Sequence, residues 1–298
     1  MRAQGTVQRF ACTQCGRCCN RPPEVELSEA AALSDIFVFR LMFRLYWLSQ
    51  RASDYRRGGE RQSSTGFFEK KRLLNAFSAR KYPAKALLEA KPVAYTKYLV
   101  ISALALDTVE GECGALNEKR CGIYDRRPLS CRSVPLHYSR SEADAESDLE
   151  AFAQTSGYQC DTGDAAPIII EDGRIVDLEI RAARSAAIAL AARDRPWSEA
   201  IARQMSGPGP SRQSLPGLEE IEANAGLGAV TISMLEAWQI AADIGFITCD
   251  EFDGLVTLQL RTIRNELANP RCSRNAIETL AQMEREYAHH GNGILRSR

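Results

Sequence analysis

A block of four closely spaced cysteines constrains the fold of this chain more than any other feature of its sequence. The block reads CTQCGRCC at residues 12–19, so four thiols fall within eight residues. A C-x2-C turn lets two thiolates converge on one metal ion, and a distant cysteine pair can complete a four-thiolate shell. The spacing therefore predicts a thiolate metal site near the start of the chain.

A second group of cysteines lies farther along and could supply the remaining ligands. The candidate metal ligands are the eight thiols of Cys12, Cys15, Cys18, Cys19, Cys113, Cys121, Cys131 and Cys160. Adjacent side chains point apart in extended backbone, so Cys18 and Cys19 would bind two neighbouring ions more readily than one. Eight thiols are compatible with two four-thiolate sites, with a polynuclear cluster, or with one site beside reactive thiols.

The start of the chain indicates the compartment in which these thiols exist. Residues 1–10 lack the apolar core and the small-residue cleavage pattern of a secretory signal, which predicts a cytoplasmic protein. Cysteines in a reducing cytosol seldom form structural disulfides, and 298 residues can bury a core without crosslinks. The cysteine groups therefore indicate metal binding or redox chemistry, and we expect the isolated Cys249 and Cys272 to be buried thiols.

The most apolar run of the chain does not indicate a membrane span. Residues 36–48 form a run of only 13 residues that includes Arg40 and Arg44. A membrane-spanning helix needs about 20 nearly uncharged residues. We therefore expect no membrane contact.

The residue types around the cysteines leave two kinds of metal centre open. All-thiolate ligation suits both zinc and iron–sulfur clusters. The spacing in residues 12–19 differs from the bacterial ferredoxin pattern, whose fourth cysteine follows three residues later and precedes proline. It also lacks the three-then-two spacing of radical S-adenosylmethionine enzymes. We favour an iron–sulfur cluster and keep zinc as the alternative.

Neighbouring arginines and glycines favour ligation over simple burial of the thiols. Arg17, Arg127 and Arg132 could offset the negative charge of a metal–thiolate centre, which makes them candidate cofactor-binding residues. The alternative is that they belong to a solvated basic face. Glycine directly follows three of the cysteines, as Gly16, Gly114 and Gly122. These glycines predict left-handed turns that direct backbone N–H groups at the sulfurs.

The formal net charge of zero hides two oppositely charged halves. Residues 1–140 contain 24 basic and 13 acidic side chains, whereas residues 141–298 contain 14 and 25. The most basic stretch, residues 40–97, has 14 basic and 4 acidic side chains with aromatic residues between them. A nucleic-acid surface has this composition, but several of these aromatic residues are typical of a core. We rank nucleic-acid binding below a solvated or internally paired face.

Hydrophobic periodicity and turn residues predict the elements along the chain. The predicted helices cover residues 27–51, 177–205 with a break near Pro196, 231–244, 251–267 and 274–288. Residues 98–106 are predicted as a strand or a buried helix end. Asp172-Gly173 predicts a two-residue hairpin turn within residues 168–176. Residues 206–217, rich in Gly, Pro and Ser, predict a linker.

These elements together predict a mainly helical α+β protein. It would have irregular cysteine-rich metal-binding loops, a small β-hairpin and a helical C-terminal region. We expect a cysteine-cluster metal-binding domain at residues 1–176 and a helical region at residues 177–298.

The cysteine blocks resemble those of the CxxCxxCC family, the YkgJ-like proteins described as chelating zinc or iron. The resemblance rests on FACTQCGRCC at residues 10–19, CGAL at 113–116 and CGIYDRRPLSCRSVP at 121–135. It covers about residues 8–165. The resemblance implies that Cys160 is the eighth family cysteine, and a distant similarity to flagellin lysine methylases implies that some members modify proteins.

Three functions are compatible with these patterns. The favoured one is a metal-binding protein that holds an iron–sulfur cluster or zinc through both cysteine groups. The second is a metallo-enzyme that modifies a protein substrate in the manner of a methylase, so whether the chain is an enzyme stays open. The third is an adaptor whose basic half binds an acidic protein partner or nucleic acid. His137, close to Cys131, is either a further ligand or proton carrier or an ordinary surface histidine.

Overall fold

The computed structural model describes residues 6–57, 60–61, 63–205, 215–224 and 229–297. Of these residues, 45% are helical and 23% lie in strands, with a curled antiparallel sheet. The fold is therefore α+β, and the prediction of a mainly helical protein dominated by cysteine-rich loops is wrong. Most of the predicted linker, residues 206–214, lies outside the described residues.

The elements are numbered here in chain order. The strands are β1 (Val7–Arg9), β2 (Glu24–Val25), β3 (Phe39–Ser49), β4 (Arg56–Arg57), β5 (Glu60–Arg61), β6 (Ser78–Leu88), β7 (Lys91–Ala105), β8 (Leu116–Asn117), β9 (Arg120–Cys121), β10 (Ile168–Glu171), β11 (Arg174–Ile175) and β12 (Val230–Ser233). The helices are α1 (Leu27–Ala32), α2 (Ser64–Phe77), α3 (Leu129–Arg132), α4 (Ala145–Ala153), α5 (Leu178–Gln204), α6 (Leu218–Asn224), α7 (Leu235–Asp243), α8 (Cys249–Leu267) and α9 (Arg274–Ser297).

The chain divides into two compact units, each built from three separate segments. The first unit comprises residues 1–18, 45–100 and 117–192, and the second comprises residues 19–44, 101–116 and 193–298. The chain passes from one unit to the other five times: after Cys18 and within β3, β7, β8 and α5. The boundary predicted after residue 176 falls inside the last segment of the first unit.

In the first unit, β1, β10 and β11 form a three-stranded antiparallel sheet. The hairpin between β10 and β11 was predicted and is confirmed: Asp172 and Gly173 have φ angles of 50° and 71°. Both angles are positive, as a type I′ turn requires. Side chains of this sheet pack with neighbouring apolar residues into one core cluster, made of Phe10, Leu136, Ala145, Leu149, Ile169, Ile170, Ile175 and Ile180.

A second sheet of the first unit has its neighbours in the order β3-β7-β6. β6 and β7 form a long hairpin whose register runs from Ser78 opposite Val100 to Leu88 opposite Lys91. Helix α2 covers one face of this sheet, where Phe67 packs against Tyr98 in a second apolar cluster. Ser63 caps the helix, since its hydroxyl accepts a hydrogen bond from Gly66 N–H at 3.1 Å.

In the second unit, the strand order is β12-β3-β7-β2 and the pairing is antiparallel. Helices α7, α8 and α9 pack here, and Trp238 and Tyr287 are completely buried. The three C-terminal helices were predicted and are confirmed, although α7 begins later because residues 230–233 form β12. Helix α8 begins with a capping box formed by Thr248 and Glu251.

The predicted helix over residues 27–51 is wrong. Only residues 27–32 are helical, and residues 39–49 form strand β3. Most side chains of β3 are buried on both faces of the sheet, so the apolar residues run almost without interruption. Such a run carries no period of two, and it resembles a buried helix by pattern alone.

Helix α5 continues through Pro196, where a break was expected. Proline removes one helical N–H donor, which usually kinks or ends a helix. Here the next residue, Trp197, is 1% exposed and donates a hydrogen bond from its indole Nε1 to Ala237 O at 2.7 Å. Burial of this large ring stabilises the helix at the position where proline weakens it.

A buried glutamine in the second unit replaces main-chain partners that the sheet does not supply. The Gln259 side chain accepts a hydrogen bond from Phe39 N–H at 3.0 Å and donates one to Phe37 O at 2.9 Å. It also donates to Ser34 O at 3.3 Å, and its exposed fraction is 0%. Without the amide, Phe39 N–H and Phe37 O would lose these buried partners, whereas Ser34 O would keep its hydrogen bond from Thr262 Oγ1 at 2.7 Å.

Replacement of this amide should strongly destabilise the protein. We expect Gln259→Leu to lower the free energy of unfolding by about 3 kcal/mol, because each orphaned buried polar group costs about 1–3 kcal/mol. Denaturant unfolding followed by circular dichroism measures this change. The matched control is the exposed Gln282, whose side chain donates to Glu286 at 2.9 Å, and equal stability of Gln259→Leu and Gln282→Leu would contradict the assignment.

Candidate metal centre

All eight candidate ligands lie in described parts of the chain, and none forms a disulfide. Cys12 is exposed and the other seven are half-buried. Thiols at this depth are accessible to an ion and still partly shielded from water. Cys249 is exposed and Cys272 is half-buried, so the expectation that both are buried thiols is wrong.

A short antiparallel bridge brings the first and last candidate cysteines together. Ala11 N–H donates to Asp161 O at 2.7 Å, and Asp161 N–H donates back to Ala11 O at 3.1 Å. In antiparallel pairing the residues beside a bonded pair also face each other, which places Cys12 opposite Cys160. A side-chain hydrogen bond from Thr13 Oγ1 to Gln159 O at 2.8 Å extends the contact by one residue.

Main-chain N–H groups point at two of the sulfurs. Cys12 accepts a hydrogen bond from Gln14 N–H, and Cys15 accepts one from Arg17 N–H. The turn needs left-handed backbone at Gln14 (φ 56°) and Gly16 (φ 72°). In both hydrogen bonds the N–H donor lies two residues after the cysteine that accepts. Such bonds stabilise thiolates.

Hydrogen bonds and burial act in opposite directions on the thiols. Although the Cys12 side chain is exposed, nearby protein atoms desolvate its thiolate and raise its pKa, and the bond from Gln14 offsets this only in part. At Cys15 burial also acts to raise the pKa, but hydrogen bonds from the Arg17 and Gln159 main chain and from the Thr13 hydroxyl together lower it. Cys15 therefore ionises more readily than Cys12, whose pKa is raised.

The thiols of Cys12, Cys15, Cys18 and Cys160 are close enough to repel one another when ionised. Burial and then the charges of Cys18, Cys12 and Cys15 raise the pKa of Cys160 to about 11. Four sulfurs whose charges interact in this way form one electrostatic group, here called the N-terminal thiol group. A bound cation would favour the ionised form of each.

The predicted cofactor-binding arginines have three different environments. Arg127 lies 3.8 Å above the ring of Tyr124, bonds Glu179 at 3.0 Å, and helps to lower the pKa of Cys12. Arg132 lies 3.6 Å from the same carboxylate. The Arg17 side chain is exposed, and it is the Arg17 main chain that contacts a cysteine.

The glycine prediction holds at one of three positions. Gly16 has positive φ, as expected, but Gly114 and Gly122 are not among the positive-φ glycines of the described chain. At Gly114 an added Cβ would lie 3.1 Å from Thr108 Oγ1. Close approach by this hydroxyl, and not a left-handed backbone, favours glycine there.

The remaining four candidate ligands are divided between the two units. Cys121 ends β9 and Cys131 lies in α3, both in the first unit. Cys19 and Cys113 belong to the second unit, where Cys113 N–H donates to Cys19 O at 2.8 Å. Within the described chain, no three His, Cys, Asp or Glu side chains are close enough together to hold a metal ion as they stand.

His137 has local partners within its own loop. Its Nδ1 accepts a hydrogen bond from Ser139 N–H at 3.2 Å and lies 2.8 Å from Ser139 Oγ. An acceptor at Nδ1 places the ring proton of the neutral histidine on Nε2.

Three residues that surround the N-terminal thiol group were not predicted from the sequence. Glu179 pairs with two predicted arginines, Gln14 supplies an N–H group, and Thr13 joins the loop to Gln159. The hydroxyl of Thr13 between two cysteines was the one local signal for such a contact. Glu179 gave no signal, because it lies more than 40 residues from either arginine.

Comparisons with protein-family models, with curated proteins and with solved structures find no match for this chain. The resemblance to the CxxCxxCC family thus stays a prediction from the cysteine blocks. Among the described helices, none is both long and apolar enough to cross a membrane.

The opposed pKa shifts predict an order of alkylation. In the reduced, metal-free protein at about pH 8, Cys15 should react with iodoacetamide well before Cys160, because the thiolate is the nucleophile. The pKa of Cys15 is lowered and that of Cys160 is about 11, so Cys160 should accelerate as the pH rises toward 11. Mass spectrometry of peptides from timed samples measures both rates, and equal or reversed rates would contradict the assignment.

Proposed function

We propose that this chain is a metal-binding protein whose N-terminal thiol group holds an iron–sulfur cluster or, as the alternative, zinc. The carrying observation is the Ala11–Asp161 bridge, which brings Cys160 opposite Cys12 across about 150 residues of sequence. Four sulfur donors are the ligand set that both kinds of centre prefer. The two N–H···S hydrogen bonds at Cys12 and Cys15 support thiolate ligation.

Mutual repulsion among the four ionised sulfurs would be relieved by a bound cation. Without one, each thiolate raises the pKa of the others, and Cys160 stays protonated at neutral pH. A bound ion would replace these protons, since the sulfurs must be ionised to act as ligands. Metal affinity should therefore increase with pH, and loss of the metal should loosen the loop of residues 12–18.

The residues around the group have positioning roles in this proposal. Arg127 supplies positive charge near Cys12, and its pairing with Glu179 and stacking on Tyr124 limit the places its guanidinium can occupy. A fixed cation of this kind offsets the negative charge of a tetrathiolate centre. Cys19, Cys113, Cys121 and Cys131 remain ligands by resemblance alone, and a cytoplasmic location fits thiols kept reduced.

Removal of one thiol of the group should reduce the bound metal. We expect the wild-type chain, purified without oxygen, to contain iron with acid-labile sulfide, or zinc. Cys160→Ala should weaken retention of that metal about tenfold or more, since even outer-shell changes cost ~10–100-fold in affinity. Plasma mass spectrometry, sulfide assay and the visible spectrum measure the element and its amount.

The matched control is Cys249→Ala, which removes an exposed thiol outside the group. It should retain the wild-type metal content. A wild-type protein with neither iron nor zinc, or a Cys160→Ala variant with unchanged metal, would contradict the proposal.

A further inference from the structure

The sheet β3-β7-β6 of the first unit has a second face, opposite to the one that α2 covers. This aromatic–basic face is made of Trp47, Arg80, Tyr82, Lys91, Tyr95 and Lys97. It has no role in the metal-binding function proposed above. Its three rings come from three adjacent strands.

Strand register establishes which side chains share the face. Tyr82 lies opposite Lys97, and Ala84 lies opposite Tyr95, so these four side chains point to one side. Lys97 Nζ lies 4.7 Å from the centre of the Trp47 ring, and the Trp47 and Tyr95 ring centres are 5.9 Å apart. Trp47 therefore belongs to the same side.

Helix α2 covers part of the other side of the sheet, and the outer part of the hairpin is exposed there, as at Lys85 and Leu87. Leu48 and Tyr98, which precede or follow residues of the aromatic–basic face by one position, pack against α2. Alternation along a strand sends their neighbours Trp47 and Lys97 away from that helix. Trp47 is 43% exposed, whereas the other two tryptophans, Trp197 and Trp238, are 1% and 0% exposed.

The net charge of this region is positive. Residues 78–100, which form the hairpin, contain five basic side chains and one acidic side chain, Glu89. Arg80 and Lys91 extend the aromatic–basic face along the strands beyond Tyr82 and Tyr95. One exposed ring, Trp47, and two half-buried rings, Tyr82 and Tyr95, flanked by cations on a sheet match a ligand that has flat rings joined by anionic groups.

We propose that the aromatic–basic face binds single-stranded nucleic acid. Trp47, Tyr82 and Tyr95 stack on unpaired bases, and Arg80, Lys91 and Lys97 contact phosphates. Lys97 Nζ lies over the Trp47 ring, so a base stacked on Trp47 would bring its phosphate near this ammonium. A duplex keeps its bases stacked on one another, so it offers these rings nothing to stack on.

The experiment uses the full-length chain and labelled oligothymidylate or oligouridylate of about 12 nucleotides. We expect binding in fluorescence anisotropy and quenching of tryptophan emission, which reports stacking on Trp47 because the other two indoles are buried. Trp47→Ala should weaken binding about tenfold and remove the quenching. An RNA or DNA duplex of the same length should bind more weakly than the single strand.

A pair of charge-reversal variants tests whether binding depends on this face or only on the positive charge of the hairpin. Lys91→Glu, on the aromatic–basic face, should weaken binding and reduce its salt dependence, whereas Lys85→Glu, on the opposite side of the same hairpin, should change binding much less. Phe68→Ala, which removes a 60% exposed ring from α2, should leave quenching intact. Unfolding curves verify that each variant is folded.

Three results would overturn the proposal. One is the absence of binding by the wild-type chain, and another is equal weakening by Lys85→Glu and Lys91→Glu. The third is binding of polyglutamate as tight as that of the oligonucleotide without tryptophan quenching, which would assign the face to an acidic protein partner. These outcomes do not depend on metal content, so the metal proposal can fail or hold independently.

Discussion

Two main-chain hydrogen bonds between Ala11 and Asp161 hold the N-terminal cysteine loop against the segment that carries Cys160. Ala11 lies two residues after β1 and Asp161 lies seven residues before β10, so the first unit's small sheet helps to position both sides of the thiol group. Its apolar cluster around Phe10 and Ile170 keeps that sheet folded. The proposed ligand set therefore depends on ordinary core packing a few residues away, and the metal would add ligation energy to a loop already placed.

The structure shows where some of the basic and acidic side chains of the two halves lie. Basic side chains concentrate on the hairpin of β6 and β7, and an arginine near the thiols is paired with Glu179 from the more acidic half. Net neutrality thus describes the distant field, while an approaching anion or cation meets particular faces. A chain of zero formal charge can therefore contain both a group of thiolates and a positively charged aromatic–basic face.

The parts of the fold with a local sequence signal were predictable. Asp172-Gly173 specified its hairpin because both residues accept positive φ, and the C-terminal helices followed from their period. Strand β3 was not predictable, since burial on both faces removes the alternation that distinguishes a strand from a buried helix. The same error hid the exposure of Trp47, which a mostly buried helix would have covered.

The candidate ligands could be named from spacing, but their grouping could not. Which distant cysteine faces Cys12 is decided by main-chain pairing, which no local sequence pattern records.

The most direct measurement of the central claim is an anomalous-scattering map, at the iron and zinc edges, from crystals grown without oxygen. We expect a metal peak about 2.3 Å from the sulfurs of Cys12, Cys15, Cys18 and Cys160. A metal bound only by other cysteines, or a disulfide between Cys12 and Cys160, would contradict it.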